Sequence, residues 1–243
     1  MSGADIEICI NATAPAQTQA SVSAAYAGGA HRVELCTSMH LEGLTPAQRC
    51  IEVARTAFMS RPGIVVMIRP RGGHFFYNRQ EITLMCQQIA MAAGAGADGV
   101  ALGALAESGK DLHASMPALV SCAKEFDLKV TLHRAFDALP DPHETLEAAI
   151  GLGIDRVLSS GTPWGSSAGV LEGIDVLEAL CRRARGRIEI VAAGGISPKN
   201  AAAIARSLTQ AGKPVSLHSY SGVEKNGITS EQLVRSLKQF SPV

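Results

Sequence analysis

Short runs of β-branched residues alternate with longer helical stretches along the whole chain, and this alternation constrains the fold more than any other feature. Eight strand candidates occur, at 6–10, 32–36, 64–69, 99–103, 129–133, 156–160, 189–193 and 215–218. A helical stretch follows each of them, at about 15–27, 46–60, 78–93, 112–126, 142–152, 167–185, 198–211 and 230–240. Strands that alternate with helices indicate a parallel sheet.

The number and size of the units indicate how the sheet closes. Eight units in 243 residues give about 30 residues each, the usual size of a βα element. We therefore predict an α/β protein with one domain, residues 1–243, folded as a (βα)8 TIM barrel. A doubly wound open sheet is the alternative, but no GxGxxG sequence follows the first strand.

Composition and charge exclude several classes of protein. The chain has 22 Lys and Arg against 22 Asp and Glu, so no charge excess points to nucleic acid or to a membrane surface as a partner. Hydrophobic residues make up 47% and charged residues 18%, which excludes a disordered chain. Six cysteines lie far apart, and the N-terminal sequence has no signal-peptide pattern. We therefore expect a cytoplasmic protein with reduced thiols.

Several strands carry polar residues at alternate positions, which is unusual for a parallel sheet. In the first strand Ile6, Ile8 and Ile10 share one face. Helices cover the outer face of a barrel strand, so the aliphatic side chains belong there and the polar ones point inward. The predicted inward cluster consists of Glu7, Cys9, Asn11, Glu34, Cys36, Arg69, Thr131, His133 and His218.

Buried charges must be neutralised by one another or by a ligand, because an unpaired buried charge costs several kcal/mol. We expect Arg69 to lie between Glu7 and Glu34 and to pair with both. A purely structural ion-pair network with core cysteines is one interpretation of this cluster. A functional site is the other, since five strands each deliver polar groups to the same end of the barrel.

Two groups of loop residues suit an anion. Arg69 and Arg71 precede two glycines after the third strand, and guanidinium groups bind phosphate or carboxylate with paired hydrogen bonds. The loops after the last two strands carry glycine and serine that let backbone N–H groups reach a phosphate. Their residues are Gly194, Gly195, Ser221 and Gly222. The pair of loops is similar to those of barrel enzymes acting on phosphorylated sugars, such as phosphoribosylanthranilate isomerase.

These features predict one of two functions. In an isomerase or lyase acting on a small phosphorylated or carboxylated substrate, the arginines and His218 would bind the substrate, and Glu7, Glu34 or His133 would move protons. Alternatively, Cys9 and Cys36 lie on adjacent strands with matching alternation and could bind a soft metal such as Cu(I). The sequence leaves open whether the protein is an enzyme.

The segments Glu7-Ile-Cys9, Arg69-Pro-Arg71-Gly-Gly and His133-Arg-Ala-Phe-Asp137 closely resemble those of the CutC family, named for copper homeostasis. The resemblance spans about residues 5–220. It implies a (βα)8 barrel, a cytoplasmic location and a role in copper handling, with Cys9 and Cys36 as the Cu(I) ligands. It also implies a homodimer.

Overall fold

The structure is a computed structural model that describes residues 3–238. Eight parallel strands form a closed barrel in chain order, and the last strand pairs with the first. The strands are β1 (Asp5–Asn11), β2 (Arg32–Cys36), β3 (Ile64–Met67), β4 (Gly99–Leu102), β5 (Lys129–Leu132), β6 (Arg156–Ser159), β7 (Glu189–Ala192) and β8 (Val215–Ser219). The predicted (βα)8 TIM barrel is confirmed.

A helix follows each strand. The helices are α1 (Pro15–Ala27), α2 (Gln48–Ala57), α3 (Arg79–Gly94), α4 (Met116–Lys124), α5 (Pro142–Gly151), α6 (Ile174–Ala184), α7 (Ala201–Ala211) and α8 (Glu231–Lys238). A hairpin of β9 (Glu224–Lys225) and β10 (Ile228–Thr229) precedes α8. Residues 239 and 240 of the last predicted helix lie outside the described residues.

Four predicted helices begin at least two residues later than the sequence indicated, because their first residues form loops above the barrel. The stretch predicted to start at 167 becomes helical only at Ile174, after Gly173 packs against Gly161 of the preceding loop. The helices predicted at 46, 112 and 198 likewise begin at Gln48, Met116 and Ala201. The βα loops are therefore longer than predicted, and these loops form the mouth of the barrel.

The alternation predicted for the strands is present in the structure. The aliphatic set packs with helix residues in the main hydrophobic core, which surrounds the barrel. Ile8 of β1 and Leu35 of β2 belong to it. Cys9 and Cys36 face the other way and form a small separate cluster inside the barrel. The inward positions are thus free to carry chemistry at the carboxyl ends of the strands.

A layer of ion pairs closes the barrel at the amino ends of the strands. Arg32 donates from Nε to Glu7 (3.0 Å) and from Nη2 to Glu189 (2.6 Å) and Ser216 (2.5 Å). Arg156 donates to Thr131 in the same way (3.0 Å). Arg32 is in register with Glu7 on the neighbouring strand, so the two inward side chains meet directly.

The predicted pairing of Arg69 with Glu7 and Glu34 is therefore wrong. β3 ends at Met67, and Glu34 is in register with Val65, four residues before Arg69. At a rise of about 3.3 Å per residue, this separates the two positions by roughly 13 Å along the strand. Arg69 consequently lies at the level of the loops, and Arg32 takes the place predicted for it beside Glu7.

Among residues 3–238, no helix combines the length and the apolar character that crossing a bilayer requires.

Candidate functional site

A cavity of about 320 Å³ opens at the carboxyl ends of the strands, where sites of this fold form. Its walls come from strand ends and from the βα loops. The lining residues are Cys9, Glu34, Cys36, Met39, Glu42, Met67, Arg69, Phe75, His133, Arg134, Leu158, Trp164, Ala193, Gly194, Gly195, Ile196, His218, Tyr220 and Ser221. The volume suits a small molecule rather than a macromolecular segment.

A pair of thiols lies at the base of this cavity. The Sγ atoms of Cys9 and Cys36 are 3.9 Å apart, and both side chains are buried. The hydrogen bond with Cys36, together with His218, lowers the pKa of the Cys9 thiol to about 6 despite its burial. The same contact and burial raise the pKa of Cys36. The pair therefore holds a thiolate and a thiol side by side near neutral pH.

Two carboxyl groups and one imidazole surround the thiols. His218 Nδ1 lies 2.8 Å from Glu7 Oε1, and its Nε2 lies 3.7 Å from Glu34 Oε2. Cys36 Sγ donates to the same Glu34 oxygen at 3.4 Å. Glu34 Oε1 has no hydrogen-bond partner within residues 3–238.

Burial and nearby charges shift the pKa values of Glu34, Glu7 and His218, and the two effects oppose each other at each residue. Burial raises the pKa of Glu34 to about 8 against the opposing charge of His218. Burial alone would also raise the pKa of Glu7, but the hydrogen bond with His218 and the charge of Arg32 hold it well below its usual value. The pKa of His218 is raised well above its usual value, because the charge of Glu34 and hydrogen bonds to Cys9 and Glu7 outweigh its burial. An imidazolium thus faces the thiols.

These side chains contain two sets of potential metal ligands. Cys9, Glu34 and Cys36 offer ligand atoms that lie within 4.8 Å of one another, and so do Glu7, Glu34 and His218. The first set is rich in sulfur, and two methionines pack near it: Met67 belongs to the same cluster, and Met39 lies against it. Soft sulfur donors favour Cu(I) and related metals over hard cations.

Arg69 lies at the cavity with almost no exposure, and no carboxylate of the described part of the chain is close to it. Its guanidinium donates to the carbonyl oxygens of Leu41 (2.8 Å), Gly43 (3.3 Å) and Gly73 (2.8 Å). The nearest acidic group is Glu42 at 4.0 Å, whose side chain is 56% exposed. The loops thus fix the orientation of Arg69 but leave its charge largely uncompensated.

His133 follows β5 and is neutral in the cavity wall. Its Nδ1 accepts a hydrogen bond from the backbone N–H of Ala135 at 3.1 Å, so Nε2 carries the proton. Burial and the neighbouring charge of Arg69 lower the pKa of His133 to about 3. Its Nε2 has no hydrogen-bond partner among the described residues.

Aromatic residues connect these two side chains. The ring of Phe75 lies 4.9 Å from Arg69 Cζ and 5.0 Å from the ring of His133, measured to ring centroids. Trp164 packs edge-on against Phe75 at 4.8 Å. Arg134 also contacts Trp164, but a salt bridge with Asp137 neutralises it.

Most of the predicted site residues lie together at the cavity, and some do not. Gly194, Gly195 and Ser221 are in its wall, whereas Gly222 is not among the lining residues. Arg71 also lies outside the lining, because its guanidinium binds Glu81, which caps helix α3. Glu7 lies below the cavity and touches it through His218.

The sequence patterns did not single out several lining residues, namely Met39, Glu42, Phe75, Leu158, Ile196 and Tyr220. Nearly all of them lie in loops just beyond a strand end. Their position after a barrel strand was the available signal, since catalytic and binding residues of this fold come from those loops.

Comparison with known proteins finds relatives that carry the name CutC. The model of the CutC family matches residues 4–218. The chain is 43% identical to a family protein CutC of Xanthomonas axonopodis pv. citri (strain 306) over 189 residues, which are 78% of this chain and 75% of that relative. It is 39% identical to the human copper homeostasis protein cutC homolog over 196 residues, 80% of this chain and 66% of that relative.

Solved structures agree with this assignment. CutC from Streptococcus agalactiae has a TM-score of 0.75 at 26% identity, covering 92% of this chain and 100% of that chain. Phosphoribosyl anthranilate isomerase from Thermococcus kodakaraensis has a TM-score of 0.58 at 16% identity, and the match covers 99% of this chain and 98% of that chain. At this identity the likeness shows a shared fold alone. On its sequence and its fold, the chain belongs to the CutC family.

Proposed function

We propose that this protein takes part in copper homeostasis by binding one Cu(I) ion at the barrel mouth, between Cys9 and Cys36. The observation that carries the proposal is the 3.9 Å separation of the two Sγ atoms inside a cavity. The name of the human relative, copper homeostasis protein cutC homolog, supports the choice of metal.

The spacing of the sulfur atoms suits a metal ion bound between them. Metal–thiolate bonds are about 2.3 Å long, so two such bonds in line would span about 4.6 Å. A separation of 3.9 Å therefore corresponds to a bent arrangement, which leaves room for a third ligand. The thiols need only small movements to bind, because both already face the cavity from neighbouring strands.

The surroundings of the thiols favour a soft, singly charged metal. Met39 and Met67 pack with the cysteines, and thioether sulfur is a ligand for Cu(I). Both thiols have little exposure, and the charge of two thiolates around Cu(I) is balanced in part by the imidazolium of His218.

An anaerobic Cu(I) titration against a chromophoric chelator tests the proposal. The wild type should bind one equivalent. The Cys9→Ser/Cys36→Ser double variant should bind at least about 100-fold more weakly, since loss of outer-shell partners alone costs 10–100-fold. The matched control is Cys86→Ser/Cys122→Ser, which removes two partly exposed thiols from α3 and α4 and should leave the affinity unchanged. Equal affinity of wild type and the Cys9/Cys36 variant would contradict the proposal.

A further inference from the structure

The part of the cavity formed by the loops after β3 and β5 has features that a metal at the thiols does not explain. Among residues 3–238, Arg69 is a buried cation without a close counter-charge, and His133 is a buried donor without an acceptor. We infer that the cavity has a second ligand site, in which Arg69 and His133 bind a small monoanionic organic carboxylate against Phe75 and Trp164. This inference does not rest on copper binding.

Charge is the first reason. The Arg69 side chain is 1% exposed, and its three carbonyl partners satisfy N–H groups without cancelling the positive charge. A buried charge that lacks a partner costs several kcal/mol, so folded proteins rarely keep one without a ligand or counter-ion. Glu42, at 4.0 Å and half in solvent, supplies little compensation. Arg69 therefore requires an anion in the cavity that it lines.

Hydrogen bonding is the second reason. The proton of His133 is held on Nε2 because Nδ1 accepts from Ala135, and Nε2 has no acceptor within residues 3–238. A buried donor left without a partner costs about 1–3 kcal/mol. Arg69 and His133 lie against the same Phe75 ring, at 4.9 and 5.0 Å, so both can reach one small ligand.

The balance of charge and the shape of the cavity identify the ligand class. One uncompensated cation with one neutral donor matches a single negative charge. A phosphate dianion needs more positive charge, and Arg134, the other guanidinium in the wall, is already neutralised by Asp137. Phe75, Trp164 and Leu158 offer apolar surface for the body of the ligand, in a volume of about 320 Å³. A carboxylate with an apolar or aromatic body fits these conditions.

Isothermal titration with acetate, butyrate and benzoate tests the inference on the full-length protein. We expect saturable binding, strongest for the carboxylate with the best-fitting body. Benzamide, which has the same shape without the charge, should not bind, and phenyl phosphate should bind more weakly than benzoate. Absence of saturable binding by all three carboxylates would overturn the inference, and so would benzamide or phenyl phosphate binding as tightly as benzoate.

Variants locate the site. Arg69→Met should weaken benzoate binding by about tenfold or more, since charge-assisted hydrogen bonds are lost, and Arg69→Lys should retain part of the affinity. His133→Phe should weaken binding several-fold. Arg71→Met, which changes an arginine of the same loop outside the lining, should bind like the wild type. An equal effect of Arg71→Met and Arg69→Met would contradict the assignment.

Two further measurements keep the test independent of folding and of copper. If Arg69→Met does not fold, a crystal of the wild type soaked in 4-bromobenzoate should show anomalous bromine density in the cavity beside Phe75 and Trp164, and density elsewhere would refute the site. The Cys9→Ser/Cys36→Ser variant should bind benzoate as the wild type does. Loss of Cu(I) binding with retained benzoate binding, or the reverse, distinguishes failure of one proposal from failure of the other.

Discussion

The imidazole Nδ1 of His218 lies 2.8 Å from Glu7 Oε1, and this contact joins the ion pairs at the amino ends of the strands to the cavity at their carboxyl ends. Arg32 donates to the other oxygen of the same carboxylate at 3.0 Å. Glu7 is thus shared between a guanidinium below it and an imidazolium above it. Its charge stabilises both, which explains a buried carboxylate inside the barrel.

Replacing Glu7 by Gln should destabilise the protein by about 3 kcal/mol, because it leaves two buried cations with fewer partners. Chemical unfolding in guanidinium chloride measures the difference. Glu231→Gln is the control, since it breaks an exposed pair with Arg235 at 2.5 Å and should cost no more than about 0.5 kcal/mol. A loss in Glu7→Gln no greater than in this control would show that Glu7 does not hold the two cations.

His133 should make stability depend on pH between about 6.5 and 3. Its pKa is lowered to about 3 in the folded state, so the unfolded chain binds a proton first as the pH falls. The contribution of neutral His133 to the free energy of unfolding is therefore fully present above pH 6.5. It decreases by about 1.4 kcal/mol per pH unit between pH 6.5 and pH 3.

The difference in unfolding free energy between wild type and His133→Phe isolates this effect from other titrating groups. Measured at several pH values, the advantage of the wild type should shrink as the pH decreases from 6.5. A difference that does not change with pH would mean that folding does not lower the pKa of His133.

Two glycines at the barrel mouth should differ in their tolerance of alanine. Both have a positive φ, +71° at Gly161 and +80° at Gly195. A Cβ at Gly161 would lie 2.2 Å from the carbonyl oxygen of Gly173, whereas a Cβ at Gly195 would have no atom of residues 3–238 within 4 Å. Gly161→Ala should cost about 3 kcal/mol from backbone strain and overpacking together, and Gly195→Ala only about 1 kcal/mol. Thermal unfolding of both variants checks the order, and equal costs would be inconsistent with this packing.

The architecture and the inward cluster were predictable because both follow from period-two patterning. The hydrophobic alternation of β1, β2 and β3 determined which side chains enter the barrel, and the structure has Cys9, Glu34 and Cys36 facing inward as predicted. Such patterning is reliable because shifting a strand by one residue would expose its whole aliphatic face.

The height of a side chain along the barrel axis and the course of the loops were not predictable. The alternation gave Arg69 the correct face but not its level, which depends on β3 ending at Met67. Arg71 was expected beside Arg69, yet it turns to Glu81, a contact set by the capping of α3. Phe75 enters the cavity from a loop, and loops lack the hydrophobic periodicity from which the direction of a side chain can be predicted.

X-ray absorption at the copper K-edge, on protein loaded anaerobically with one equivalent of Cu(I), tests the central proposal most directly. We expect a first shell of sulfur at about 2.3 Å, the length of a metal–thiolate bond, from Cys9 and Cys36. That shell should disappear in the Cys9→Ser/Cys36→Ser variant and persist in Cys86→Ser/Cys122→Ser. A first shell of nitrogen or oxygen in the wild type, or a sulfur shell that survives the loss of Cys9 and Cys36, would contradict a copper site at the barrel mouth.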